Sequence, residues 1–379
     1  MTKETCDLCN GQLRPIYKPD GTKRGLTVHV CGGCGLLQSL PRIDTVEDKT
    51  PSISYRADTG NVRVGKGHRA AANLEFIKSV MEDAPKILLD VGSGRGDFAR
   101  EFEKWNPEAV IVGIEPDESV IDYRYAFASR IEDINLTQGD FGGYNLIYLS
   151  HTLEHLKSPL ATLKRLHGAL ADDGYLFVEV PNIMGAPGVP GVLEMPDVFE
   201  EAFIDKHLYH YSLGTLYGTV RAAGFEIMSC LSDAENLSVM CQKGGTPVLS
   251  GFRMAEIEKL LNVYDMKRQG NLAEIADVAA ELNEIPKRYD WGSTGCFVYG
   301  VGRLFDALCR GGLDFEQFTL VDKYLDRSLF PELDIIRPGE LAPDEDFIFI
   351  ASRGGYKEMA AEARRLCPGA LVWGLGDFQ

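Results

Sequence analysis

Short apolar runs separated by polar segments dominate the middle of this chain. The runs at 88–91, 109–114, 145–150 and 175–180 are rich in Leu, Ile and Val. Such runs are typical of parallel strands covered on both faces. A predicted helix at 160–170 follows the third run, and Gly174 is expected to end it. This alternation predicts an α/β fold with a doubly wound sheet.

The pattern continues on both sides of these strands. Residues 68–81 carry apolar positions on one side of a predicted helix. Ser212 can N-cap a second helix that ends at Gly224. Two closing strands at 225–231 and 237–243 would complete a seven-stranded sheet.

After a connector of one or two helices at 252–289, the strand and helix pattern restarts. Strands at 296–299, 318–322 and 347–352 alternate with predicted helices, which indicates a second, smaller Rossmann-like domain. Its glycine signature is incomplete, because Phe305 stands where a dinucleotide-binding fold has glycine. A second dinucleotide site is therefore not favoured.

The length of 379 residues predicts two or three domains. The predicted division is a four-Cys zinc-binding domain at 1–45, a linker and capping helix at 46–83, a sheet domain at 84–245, a helical connector at 246–290 and a C-terminal domain at 291–379. No run of about 18 uncharged apolar residues is present. The N-terminus lacks the apolar core of a signal peptide, so a cytoplasmic protein without a membrane partner is expected.

The net charge is −17, from 39 basic and 56 acidic side chains. Nucleic-acid binding depends on neutralising phosphates with Lys and Arg, and this negative field repels a polyanion. DNA and RNA are therefore poor candidates for the partner. A small nucleotide-linked molecule stays possible, because a local pocket can override the global field.

Four of the nine cysteines form two C-x-x-C pairs, Cys6 with Cys9 and Cys31 with Cys34. Four thiolates in a tetrahedron suit a structural Zn²⁺ with no open position. A redox C-x-x-C needs a thioredoxin-like context that is missing here, and a knuckle without metal is the other alternative. The five scattered cysteines fit small buried apolar residues.

A glycine-rich turn follows the first apolar run. Asp90 precedes Gly92, Gly94 and Gly96, which lets the backbone bend tightly and approach a ligand at the start of the next helix. The dinucleotide fingerprint is G-x-G-x-x-G, whereas the spacing here is G-x-G-x-G. A nicotinamide oxidoreductase therefore ranks last among the candidate functions.

This turn resembles motif I of the class I S-adenosylmethionine-dependent methyltransferases. Glu115 ends the next strand, where an acid can accept the ribose hydroxyls. Asp140 suits the adenine amino group, and 151–156 resembles the segment after the fourth strand in this family. The resemblance assigns donor binding to Asp90, Gly92, Ser93, Gly94, Gly96, Glu115, Pro116, Asp140, Phe141, Ser150 and His151.

The order of domains resembles the three-part sugar C-methyltransferases of deoxysugar biosynthesis. That family methylates a carbon next to a ketone in a nucleotide-linked 4-keto-6-deoxysugar. The resemblance places His207 on the catalytic base and Tyr55 on an active-site tyrosine of the linker. Ile204 and Lys206 replace the family's Tyr and Glu, which leaves the substrate and the acceptor atom open.

The chemistry of methyl transfer gives these residues roles. The acceptor must be aligned with the S–CH₃ bond and must lose a proton. His207 suits a base near neutral pH, while Tyr55 or Lys206 could donate to an enolate oxygen. The alternative reading is that the aromatic residues around His207 only pack a loop.

Three other functions stay open. One is O- or N-methylation of a sugar or another metabolite. A zinc module beside a methyltransferase core also occurs in ribosomal-RNA methyltransferases, although the acidic charge argues against RNA. The third is a non-catalytic protein that keeps the donor-binding fold.

Overall fold

The structure is a computed structural model. It describes residues 5–19, 25–42, 66–136, 143–185, 191, 203, 206–245, 254–288, 295–323, 333–341, 347–352 and 355–378. The predictions for Tyr55, Asp140 and Phe141 lie outside these residues. The chain divides into two compact units, Met1–Lys49 with Gly67–Met266 and Thr50–Lys66 with Lys267–Gln379.

The first unit is built from two sheets and the helices around them. Its strands are β1 (Leu13–Tyr17), β2 (Thr27–Cys31), β3 (Leu37–Leu40), β4 (Ile87–Val91), β5 (Val110–Glu115), β6 (Ala126–Ala128), β7 (Tyr144–Ser150), β8 (Leu170–Pro181), β9 (Tyr209–His210), β10 (Phe225–Ser232) and β11 (Asn236–Lys243). Its helices are α1 (Lys66–Val80), α2 (Asp97–Trp105), α3 (Pro159–Ala169) and α4 (Leu213–Ala222), and α5 (Met254–Arg288) begins in this unit. The predicted connector is thus one continuous helix.

The predicted seven-stranded sheet is present, in the order β10-β11-β8-β7-β4-β5-β6. The strands from β4 to β8 pair in parallel, and β11 pairs antiparallel with both β8 and β10. This is the mixed sheet of a class I methyltransferase Rossmann-like fold.

Both faces of the sheet are buried, which explains why its strands are apolar at successive positions. Leu88 packs on one face with Phe102 of α2, while Leu89 packs on the other with Leu166 of α3. Burial of a large aliphatic or aromatic side chain contributes about 1.5–3 kcal/mol. The prediction of parallel strands is confirmed.

Two local predictions have different outcomes. Ser212 caps α4, because its hydroxyl accepts from Thr215 N at 3.3 Å, and Gly224 follows the helix with φ +96°. Gly174, predicted to end a helix, instead lies within β8. A Cβ at Gly174 would stand 2.7 Å from the Tyr144 carbonyl oxygen, so glycine is needed there for close strand approach.

A second sheet orders four short strands as β1-β2-β3-β9, all antiparallel. Its first three strands come from the four-Cys segment. The fourth, β9, comes from the segment of His207. The two regions therefore share backbone hydrogen bonds.

The second unit has a five-stranded parallel sheet. Its strands are β12 (Cys296–Tyr299), β13 (Thr319–Val321), β14 (Ile335–Ile336), β15 (Phe347–Ile350) and β16 (Leu371–Trp373), in the order β14-β13-β12-β15-β16. Helices α6 (Arg303–Arg310) and α7 (Tyr356–Leu366) accompany them. None of the described helices is both long and apolar enough to span a bilayer.

Candidate active site

The glycine turn between β4 and α2 leaves one side of its backbone open. Gly92, Gly94 and Gly96 all have positive φ, at 74°, 52° and 80°. A Cβ at Gly92 would meet Thr152 Oγ1 at 2.2 Å, and one at Gly96 would meet Tyr123 Cβ at 2.4 Å. A Cβ at Gly94 would meet no described atom within 4 Å. Space for a ligand is therefore found at Gly94.

Buried acids flank this turn. Asp90 lies near the end of β4 and is 1% exposed. Glu115 ends β5, where one carboxylate oxygen accepts from Gly94 N at 2.9 Å and the other from Asp117 N at 3.0 Å. Ser93 is also buried, and none of the described residues hydrogen-bonds to its hydroxyl. An open glycine backbone with these groups fits the donor that the sequence predicts.

The loop after β7 comes back to the same turn. Thr152 Oγ1 donates to the Val91 carbonyl at 3.0 Å. His151 has φ +50°, an uncommon conformation for a residue with a side chain. Its backbone N–H donates to the Glu179 carbonyl at 2.9 Å, which ties the loop to β8. The residues after β7 are thus fixed beside the glycine turn.

Glu179 is a buried acid that the sequence analysis did not single out. Its carboxylate accepts from Ser150 Oγ at 2.7 Å, from Asn73 Nδ2 at 3.0 Å and from Ser238 Oγ at 3.1 Å. The signal in the sequence is an acid within an otherwise apolar strand. Ser150, predicted to contact the donor, uses its hydroxyl in this network.

Glu154 is a second acid that was not predicted, and it lies among histidines. It is fully buried, with one carboxylate oxygen 3.3 Å from His151 Nδ1 and 3.8 Å from His155 Nε2. Ligand-type atoms of Glu154, His155 and His207 lie within 4.8 Å of one another. Burial raises the pKa of Glu154, but the three histidines lower it more, so that the pKa is about 2.

His207, the predicted base, belongs to this cluster. Burial lowers its pKa well below the usual 6.5, with a smaller contribution from His155. Its ring centroid lies 4.9 Å from that of His155, and no described residue hydrogen-bonds to the His207 ring. Lys206 accepts from His155 Nδ1 through its backbone carbonyl at 2.8 Å. A neutral His207 ring keeps a lone pair for a proton or a metal ion.

The two C-x-x-C pairs come together as predicted. Sγ of Cys6 lies 3.5 Å from that of Cys34, and Sγ of Cys9 lies 3.4 Å from that of Cys31. All four are free thiols within 4.8 Å of one another. Zn²⁺ bound to sulfur at about 2.3 Å fits such a tetrahedron. Gln38 Nε2 donates to Cys6 Sγ at 3.2 Å, and hydrogen bonds of this kind commonly orient metal ligands.

Comparisons with known proteins match the region around this site. Residues 66–229 match the family model described as a methyltransferase domain. Trans-aconitate 2-methyltransferase of Methylobacterium radiotolerans is 25% identical over 119 residues, covering 30% of this chain and 45% of that protein. Malonyl-[acyl-carrier protein] O-methyltransferase of Halalkalibacterium halodurans is 24% identical over 144 residues, covering 35% of this chain and 53% of that protein.

The chain thus spans about half the length of these curated relatives. A solved SAM-dependent methyltransferase from Thermotoga maritima is 20% identical, covers 50% of this chain and 98% of its own, and has a TM-score of 0.38. The family match and the sheet order together identify residues 66–229 as a class I S-adenosylmethionine-dependent methyltransferase domain.

Proposed function

We propose that this protein transfers a methyl group from S-adenosylmethionine to a small molecule. The acceptor that we propose first is a nucleotide-linked keto sugar. The observation that carries the proposal is the contact between two loops. Thr152, in the loop with the histidine cluster, packs against Gly92 of the glycine turn. The proposed donor site and the proposed base would therefore lie at the same end of the sheet.

Different residues around the turn would bind different parts of the donor. The backbone at Gly92, Ser93 and Gly94 would hold its amino-acid end, and Glu115 would accept its ribose hydroxyls. Asp140 and Phe141 stay predictions for the adenine. The donor supplies a methyl group on a sulfonium, which is already a good electrophile.

Proton removal from the acceptor is proposed to depend on His207. Its neutral ring offers a lone pair, and it lies two residues from β9, which the small sheet holds in place. For a carbon next to a ketone, transfer of the C–H proton to His207 would give an enolate. Its carbon would then bond to the methyl group as the S–CH₃ bond breaks and S-adenosylhomocysteine leaves. Tyr55 and Lys206 stay candidates for donating to the enolate oxygen.

The test uses S-adenosylmethionine labelled with ¹³C in the methyl group and a panel of nucleotide-linked 4-keto-6-deoxysugars. A carbon-bound methyl group in the product NMR spectrum is expected. His207→Gln should lower turnover by about 10²–10⁴-fold while the donor affinity stays unchanged. His29→Gln, in β2, is the matched control, and equal turnover in both variants would remove His207 from the reaction.

Transfer to oxygen is the second candidate. One curated relative is named as an O-methyltransferase. An oxygen-bound methyl group in the same NMR experiment would select this function. No transfer to any sugar would instead remove the proposed substrate class and leave the methyltransferase domain in need of another acceptor.

We also propose that Cys6, Cys9, Cys31 and Cys34 bind a structural Zn²⁺. The convergence of the four thiols supports this. The C-terminal unit is proposed to be Rossmann-like, on the support of its parallel strand order. Metal analysis of the purified protein should find one zinc per chain that is lost in a Cys9→Ser variant.

A further inference from the structure

The carboxylate of Glu154 has an unusual environment. It is 0% exposed, and neither oxygen has a hydrogen-bond partner among the described residues. His151 Nδ1 lies 3.3 Å from one oxygen without a hydrogen bond to it, while Nε2 of the same ring lies 2.8 Å from Asn236 Oδ1. A buried carboxylate without hydrogen bonds is costly unless a cation compensates it.

The ring of His155 turns its lone pair toward this carboxylate. Nδ1 lies 2.8 Å from the Lys206 carbonyl oxygen, which can only accept, so Nδ1 carries the proton. Nε2 of the neutral ring therefore carries no proton, and it lies 3.8 Å from Glu154 Oε1. A nitrogen lone pair and a carboxylate oxygen that face each other in a buried site repel, and a cation between them would relieve this repulsion.

The hydrogen bond from His155 Nδ1 to a backbone carbonyl is typical of metal-bound histidines. Such histidines donate the second ring N–H to a backbone carbonyl or a carboxylate, which fixes the ring and its tautomer. His207 adds a third candidate ligand, and its ring has no hydrogen bond to a described residue. The three ligand atoms lie within 4.8 Å of one another. Ligand atoms about 2.1 Å from a tetrahedral ion lie about 3.4 Å apart, so the atoms must approach one another by up to about 1.4 Å, which side-chain rotations supply.

We propose that Glu154, His155 and His207 bind a divalent first-row transition metal. Two imidazoles and one carboxylate suit this class of ion. Three protein ligands leave coordination positions open for an oxygen atom of the methyl acceptor, whose adjacent proton the metal would make more acidic. This deepens the proposed function and rests on it for the acceptor. His207 would then hold the ion, and a hydroxide formed from water at a second open position would take the acceptor's proton and leave as water.

The site lies where such an ion could meet the acceptor. Thr152 contacts Gly92 of the donor turn, and Glu154 follows two residues later. The four-Cys cluster is a separate site, because four thiolates favour Zn²⁺ over Mn²⁺, whereas a carboxylate with two imidazoles also accepts Mn²⁺ and Co²⁺. Mn²⁺ and Co²⁺ can therefore be used as probes of the new site while zinc fills the cysteines.

The test is a titration of the full-length protein holding one zinc ion per chain, with Mn²⁺, followed by electron paramagnetic resonance, and with Co²⁺, followed by calorimetry. The wild type should bind one ion of either kind per chain. Glu154→Gln and His207→Gln should weaken metal binding by more than about 100-fold. Loss of a residue that only hydrogen-bonds to a metal ligand weakens binding by about 10–100-fold. His29→Gln, the matched control, should bind like the wild type.

Other outcomes overturn the site. If the wild type binds neither ion, or if both variants bind as tightly as the wild type, Glu154, His155 and His207 are not metal ligands. Thermal unfolding shows whether Glu154→Gln folds, and His207→Gln keeps the test decisive if it does not. Donor affinity, measured separately, distinguishes failure of the metal site from failure of the methyltransferase proposal. Turnover that survives a chelator while the donor still binds would return His207 to the role of free base.

Discussion

Gly94 is the residue whose substitution best separates fold from ligand binding. A Cβ there would point into open space but would hold the backbone at φ +52°. We expect Gly94→Ala to lower the free energy of unfolding by about 1–2 kcal/mol, the cost of a left-handed conformation. The affinity for S-adenosylmethionine should fall at least about tenfold, because the methyl group occupies the space left for the donor.

Gly270 supplies the matched control for this prediction. It lies within α5, and a Cβ there also meets no described atom within 4 Å. Gly270→Ala should raise the free energy of unfolding by about 0.5–1 kcal/mol, as expected for a helix interior, without changing donor affinity. Calorimetry and chemical denaturation measure both quantities. Equal donor affinity in Gly94→Ala and the wild type would show that the donor does not approach this turn.

The His207 ring also predicts how stability depends on pH. Burial lowers its pKa in the folded protein below the unfolded value of about 6.5. Below pH 6.5 the unfolded chain therefore binds a proton that the folded protein does not, and stability falls as pH falls. The loss reaches at most about 1.4 kcal/mol per pH unit for this residue.

Denaturation curves of metal-stripped protein between pH 7 and pH 5 check this sign. His207→Gln should show a shallower fall in the free energy of unfolding than the wild type. His29→Gln should follow the wild type. A steeper fall in the His207 variant would mean that the folded state holds this ring protonated.

At the scale of elements, the small sheet connects the four-Cys segment to the histidine cluster. β3 pairs with β9, Ser39 N donates to the Leu208 carbonyl at 2.9 Å, and Ser39 Oγ hydrogen-bonds to His210 Nε2 at 2.8 Å. Leu208 N in turn donates to the Glu154 carbonyl at 2.9 Å. The segment with His207 is thus held between the four-Cys cluster and the loop after β7.

Removal of the proposed zinc should therefore loosen the segment of His207. We expect faster hydrogen exchange at the amides of Leu208 and Tyr209 after the metal is stripped, because β3 loses its anchor at Cys31 and Cys34. Amides of β4 and β7 in the large sheet are the internal control and should keep their protection. Unchanged exchange at Leu208 would show that the β3–β9 pairing stands without the metal.

The elements that the sequence predicted correctly are those whose signal is local. Apolar runs gave the strands covered on both faces, and Ser212 gave the start of α4. The pairing of β3 with β9 had no such signal, because Ser39 and His210 are 171 positions apart. Gly174 was placed wrongly for a similar reason, since its environment is set by Tyr144 on a neighbouring strand.

The candidate site divides in the same way. The glycine spacing predicted the tight turn, because the positive φ angles of Gly92, Gly94 and Gly96 depend on glycine itself. Donor binding at this turn stays a prediction. The cluster around Glu154 depends on His207 arriving from 53 positions further along the chain. In the sequence Glu154 is therefore only one residue of the 151–156 segment, and the fold alone shows that three imidazoles surround it.

At the scale of the whole molecule, the division into two units predicts how the protein unfolds. Every described residue assigned to donor binding lies in the first unit, while the five-stranded sheet belongs to the second. Each unit has its own buried core, so we expect two transitions in a calorimetric unfolding scan. A ligand that binds one folded unit stabilises that unit alone by mass action.

S-adenosylmethionine at about 100 times its Kd should add about 2.7 kcal/mol to the stability of the first unit and leave the transition of the second in place. The Gly94→Ala variant at the same donor concentration should show a smaller shift, which links the effect to the turn. A nucleotide sugar that moved the second transition would assign substrate binding energy to the C-terminal unit. A single transition that moved as a whole would show instead that the two units unfold together, and donor binding would then stabilise the entire chain.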